Sequence, residues 1–106
     1  MIQVNVIKKG NEYYQITVSG HAFSNDPGFD LVCAGVSSIA TGALNGFDAL
    51  DKSVFLSLTD EPFIGITCNQ INEKNQLLMA FLHYQLKTIE AAHKEHLKIT
   101  VKEEFR

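Results

Sequence analysis

The residues equipped for chemistry cluster between Gly20 and Ser38. A histidine, His21, follows a glycine directly, and a cysteine, Cys33, lies twelve residues further on. An imidazole that accepts a proton and a thiol that gives one up are the two groups that nucleophilic acyl transfer requires. An alternating apolar run reaching Ser19 predicts a strand that carries His21 at its exit. The apolar pattern from Leu31 onward predicts a helix. If the Asp30 side chain caps that helix, Cys33 is its third residue, where unsatisfied backbone N–H groups favour an anion. The thiol would then be biased toward thiolate, and further biased by an imidazole brought alongside. Between the two elements, Phe23 to Phe29 predicts a flexible substrate loop, with Phe23, Gly28 and Phe29 facing the substrate and Pro27-Gly28 breaking the chain.

Each of these residues also has a plainer reading. Cys33 could be an inert buried thiol flanked by Val32 and Val36, and His21 a structural histidine. Asp30 is a helix cap, an orienter for the His21 ring, or both. Ser37, one turn after Cys33, either hydrogen-bonds in the site or allows close packing there. Cys68, in an alternating strand with no histidine nearby, reads as a buried thiol. His83, His93 and His96 suggest a metal, but no cysteine or carboxylate completes a ligand set, so no metal and no cofactor is expected. A phosphatase loop of the Cys-x5-Arg type would need arginine at the position of Ile39. Gly35-Val36-Ser37-Ser38-Ile39 lacks the second glycine of a serine-hydrolase elbow. Neither phosphate-loop nor dinucleotide-binding glycine patterns occur.

The elements that must position His21 and Cys33 follow from periodicity. Ile2, Val4 and Val6, then Tyr14, Ile16 and Val18, alternate with polar residues around Gly10-Asn11, which predicts a hairpin with one buried face. Val32, Val36, Ile39, Ala43, Phe47 and Leu50 recur at helical spacing, with Asn45-Gly46 weakening the last turns. Val54, Leu56 and Leu58, a turn at Asp60-Glu61-Pro62, and the run Phe63 to Cys68 predict a second hairpin. Leu78, Leu82, Leu86 and Ile89 mark a second helix from Asn75, and Leu97, Ile99 and Val101 a last strand. The order β-β-α-β-β-α-β, with polar strand faces and only two helices, predicts an α+β fold. Its mainly antiparallel sheet would carry both helices on one face.

A chain of 106 residues has room for one core, so residues 1–106 are expected to form a single domain. A net charge of −3, with no basic run interleaved with aromatics, argues against direct nucleic-acid binding. No apolar run is long enough for a membrane span, and the start lacks the pattern of a signal peptide, so a cytoplasmic location is expected. The two cysteines form neither a CxxC pair nor a disulfide framework, so free thiols are expected.

Gly20-His21-Ala22 followed by Asp30-Leu31-Val32-Cys33-Ala34-Gly35-Val36-Ser37 resembles the signature of the bacterial ribosomal-processing cysteine protease family, Prp, and length and element order fit over nearly the whole chain. The resemblance implies that His21 and Cys33 are the catalytic pair, and Asp30 and Ser37 match positions that family members tend to hold. It implies a cysteine endopeptidase that removes a short N-terminal extension from a ribosomal large-subunit protein, and a homodimer. The alternative is a noncatalytic ribosome-associated module that holds a peptide in the same cleft. Reactivity at Cys33 separates the two, because only a protease needs a low-pKa thiol beside a histidine.

Overall fold

The computed structural model describes residues 1–20, 27–59 and 63–104. Seven elements follow in the expected order: β1 (Ile2–Lys9), β2 (Glu12–Ser19), α1 (Pro27–Leu50), β3 (Val54–Leu58), β4 (Ile64–Cys68), α2 (Glu73–Ala92) and β5 (Leu97–Glu104). The five strands form one sheet in the order β3-β4-β2-β1-β5. Pairing is antiparallel for β1 with β2, β2 with β4 and β3 with β4, and parallel for β1 with β5. Because β4 and β5 therefore run the same way with β2 and β1 between them, the chain must cross the sheet from one to the other. Helix α2 makes that crossing and packs on β2 and β5. The proposed turn at Asp60-Glu61-Pro62 lies outside the described residues.

Period-two alternation decides which face of the sheet is covered. Ile2, Val4 and Val6 of β1, Ile16 and Val18 of β2, and Leu97 of β5 are buried, whereas Gln3, Asn5 and Lys98 between them are exposed. Helix α1 meets this apolar face with Phe29, Val32, Val36, Ala40 and Phe47, and α2 with Met79, Leu82 and Leu86. Each of these side chains other than that of Ala40 contributes about 1.5–3 kcal/mol by leaving water. Strand β4, at the centre of the short half of the sheet, is buried along its whole length. On its open face the Gln15 amide donates to Thr67 Oγ1 at 2.9 Å, and Ser57 Oγ occupies the space that a Cβ at Gly65 would need.

Three local details depart from the periodic reading. Leu50, expected on the inward stripe of α1, is exposed at the last residue of the helix. Helix α2 begins at Glu73, because Asn72 and Asn75 form a reciprocal capping box, and Asn75 is itself fully buried. Between Ile7 and Lys8 the register skips Tyr14, a bulge on β2. Tyr13 beside it reaches His83 Nδ1 on α2 with its hydroxyl at 2.8 Å. Among the described residues no helix is long and apolar enough to cross a membrane.

Candidate active site

The site lies at the end of the sheet where β1 begins and β2 finishes. Gln3 pairs with Ser19 there, so the chain leaves β2 directly beside Met1. Gly20 makes that exit with φ +82, and a Cβ at this position would run into the Met1 carbonyl oxygen. Glycine is therefore required twice over, by backbone conformation and by space. His21 comes next, and with Phe23 it lies outside the described residues.

Cys33 reaches the same end from above. Phe29, Val32 and Val36 fix the rotation of α1 by pointing into the core, and Phe29 sets its ring edge against His96 at 5.6 Å between centroids, just before β5. Cys33 consequently falls on the flank of the helix, half-buried and packed against the core, with Asp30 one turn before it and exposed. Ser37, one turn after it, is half-buried as well. The charge that reaches Cys33 from across the site is the amino group of Met1. Gly20 thus closes on Met1 through the backbone, while Cys33 on α1 feels the Met1 amino group only as the smallest of the three influences on its thiol.

The structure corrects the electrostatics expected of Cys33. Helix α1 starts at Pro27, not after Asp30, so Gly28 and Phe29 belong to its first turn instead of a substrate loop, and Asp30 is its fourth residue instead of its cap. A proline followed by glycine reads as a break, yet proline is also favoured at the first helical position, where its missing N–H costs nothing. Cys33 is then the seventh helical residue, one turn beyond the reach of the unsatisfied N–H groups. Partial burial and the Asp30 carboxylate push its thiol up, and the Met1 amino group offsets this only in part. The net effect of the described residues on the thiol is upward, opposite to the bias that a helix start would have given.

The other candidates are dispersed. Cys68 is fully buried, and burial, then the Asp51 carboxylate, pushes its thiol up to about 11. His83 is buried on α2 with its pKa lowered by burial and by Lys87 and Lys8. His93 forms the C-cap of α2, and His96 follows it before β5. Among the described residues no three groups able to hold a metal come together. The contribution that periodicity missed is that of Met1 and His96, which shape the site through backbone position and ring contact. The signal that could have moved the start of α1 back is Pro27, a favoured first helical residue.

The described framework is an α+β sheet with a half-buried cysteine, Cys33, on its first helix and a glycine, Gly20, at the exit of β2. The chain belongs to the family of the cysteine protease Prp, whose profile matches residues 1–98. It is 32% identical to the ribosomal processing cysteine protease Prp of Bacillus subtilis, over 94% of this chain and 96% of that one. Its fold is similar to that of SMU.848 from Streptococcus mutans, with a TM-score of 0.84 and 25% identity over 98% of this chain and 96% of the other. It is also similar to the ribosomal processing protease Prp from S. aureus in complex with a covalently linked product peptide, with a TM-score of 0.82 and 25% identity over 96% of this chain and 100% of the other. The chain accordingly belongs with the cysteine proteases involved in ribosomal processing.

Proposed function

We propose that this protease cleaves a short N-terminal extension from a ribosomal large-subunit protein in the cytoplasm, with Cys33 as nucleophile and His21 as its proton acceptor. The reading is supported by the placement of Gly20, which packs on Met1 as it hands the chain to His21, and by a half-buried Cys33 on α1 that the Met1 charge also reaches. Cys33 attacks the scissile carbonyl as thiolate, and the protonated His21 stabilises that thiolate and then gives its proton to the leaving amine. An imidazolium is the cation that the raised thiol lacks. Asp30 serves to hold the His21 ring, and Ser37 lies within one turn of the sulfur. The relatives' names support the ribosomal target, and the product peptide bound to the S. aureus relative supports a peptide substrate.

The same reading takes the protein to be a homodimer of single-domain subunits. Leu77, Phe81 and Tyr84 support it, because they form an exposed apolar line along α2 beside a groove of about 380 Å³ between α1 and α2. The test is incubation with the extended ribosomal protein, followed by measurement of fragment masses. One cut in the extension, lost in Cys33→Ser, is the expected result. An intact ribosomal protein would refute the assignment.

A further inference from the structure

The two edges of the sheet are finished differently. At β5 the Ile99 amide, which faces away from the sheet, donates to Glu90 Oε2 of α2 at 2.6 Å, and Lys98, Lys102, Glu103 and Glu104 line the strand. That edge is closed to a further strand. At β3 the Thr59 amide donates to the Phe63 carbonyl at 3.1 Å, so by antiparallel alternation Ser57 and Phe55 bond β4. The N–H and C=O groups of Leu56 and Leu58 then face outward, where no described strand follows. Leu58 and Phe55 are both more than half exposed.

A pocket of about 230 Å³ opens beside this edge, on the helix side, between the later turns of α1 and β3. Leu44, Leu56 and Leu58 give it an apolar floor, and Asn45 and Asp48 a polar rim. Asp48 meets Lys52 only across 3.4 Å in an exposed pair, which an incoming cation can displace at little cost. A strand added to β3 would turn every second side chain toward this pocket and the others toward Phe55. The side chain that fits has an aliphatic stem for the leucines and a cationic tip for Asp48.

We propose that the β3 edge is an exosite where an extended segment of the protein substrate, carrying lysine or arginine on one face, adds as a sixth strand. The proposal rests on the protease reading, since it gives the enzyme a second grip on the polypeptide it cuts. Leu58 pairs with Ile64, and Ile64 with Val18, so the β3 end at Leu58 lies at the same end of the sheet as Gly20. From β1, beside which Gly20 leads to His21, β3 is three strand spacings away, about 14 Å, or roughly four extended residues. The segment so held is therefore separated from the scissile bond by about that many residues.

The probe is the labelled peptide Thr-Val-Lys-Val-Thr-Val-Lys-Thr, titrated into the Cys33→Ala variant and followed by anisotropy and backbone amide NMR. The expected result is shifts at Leu56 and Leu58 but not at Ile99, with binding weakened about tenfold by Asp48→Lys and by exchanging the peptide's lysines for glutamates. Leu58→Pro removes one outward N–H at an edge position where proline is tolerated, and should weaken binding with an unchanged melting curve. Shifts confined to the α1–α2 groove would overturn the proposal. So would a dimer that Leu58→Pro dissociates, since the edge would then be a subunit contact. Shifts at Leu56 and Leu58 in the variant, with no cleavage of the extended ribosomal protein by the unsubstituted enzyme, refute the protease reading and leave the edge site standing. Normal cleavage with no shifts at β3 does the reverse.

Discussion

Replacing His21 with alanine should raise the ionisation midpoint of Cys33 to a value above that of an ordinary thiol, near 8.5. The direction comes from the structure, because partial burial and Asp30 already push the thiol up and the Met1 amino group only partly opposes them. With no imidazolium, fewer than about 3 in 100 of the thiols are ionised at pH 7. A cysteine–histidine pair that lowers a thiol by about three units gains roughly 30-fold in ionised fraction at that pH. The less basic thiolate is also a weaker nucleophile, by about 20-fold at a Brønsted slope near 0.45. At pH 7 the two effects nearly cancel, so a single rate there says little. At pH 5.5 they do not, and the variant should react about 20-fold slower. The assay is reaction with an aromatic disulfide followed from pH 4 to 10, with His83→Ala and His93→Ala as controls. A midpoint unchanged in His21→Ala would refute the pairing of His21 with Cys33.

Asp30→Asn separates two roles. If the carboxylate acts on Cys33 by charge alone, one turn away, the midpoint should fall by about half a unit; a rise would show that it holds the His21 ring as imidazolium. Gly20→Ala forces a Cβ toward the Met1 carbonyl at a positive φ, so chemical denaturation should show a loss of about 1–3 kcal/mol and cleavage should fall with it. Met79→Ala should cost about 2–5 kcal/mol by the same assay, because the side chain is fully buried between α2 and the sheet. Asp51 accepts from Ser53, Asn72 and Asn75, which holds its carboxyl at about 2. A carboxylate lowered in the fold stabilises above its unfolded pKa and ceases to as pH falls through the folded one. Melting temperature should therefore drop between about pH 4 and pH 2, and Asp51→Asn should flatten that limb.

Strand alternation and helical spacing made the element order, the hairpins and most of the core legible, because burial on one face imposes a period on the residues themselves. Ile2, Val4, Val6 and Val18 were read this way and are buried. Met79 and Asn75 were not, since methionine was not counted on the α2 stripe and a buried asparagine follows from a capping network that periodicity does not register. The parallel pairing of β5 with β1 was invisible for a similar reason: direction depends on where α2 lands, not on the composition of the strand. At the site, residue types pointed to Cys33 and His21, but the local rule that assigned Asp30 as a cap placed Cys33 too close to the helix start. Four residues at that boundary reverse the expected effect on the thiol, from helix-assisted to raised.

The central claim is that Cys33 carries the acyl group of the cut peptide. Mixing the enzyme with a peptide spanning the cleavage site, quenching in acid within milliseconds to seconds and weighing the intact protein tests it most directly. The account predicts a mass increase equal to the N-terminal fragment less one water, mapped to Cys33, released by hydroxylamine as a thioester and absent in Cys33→Ser. An adduct on Cys68, or cleavage at an undiminished rate in Cys33→Ser, would contradict it.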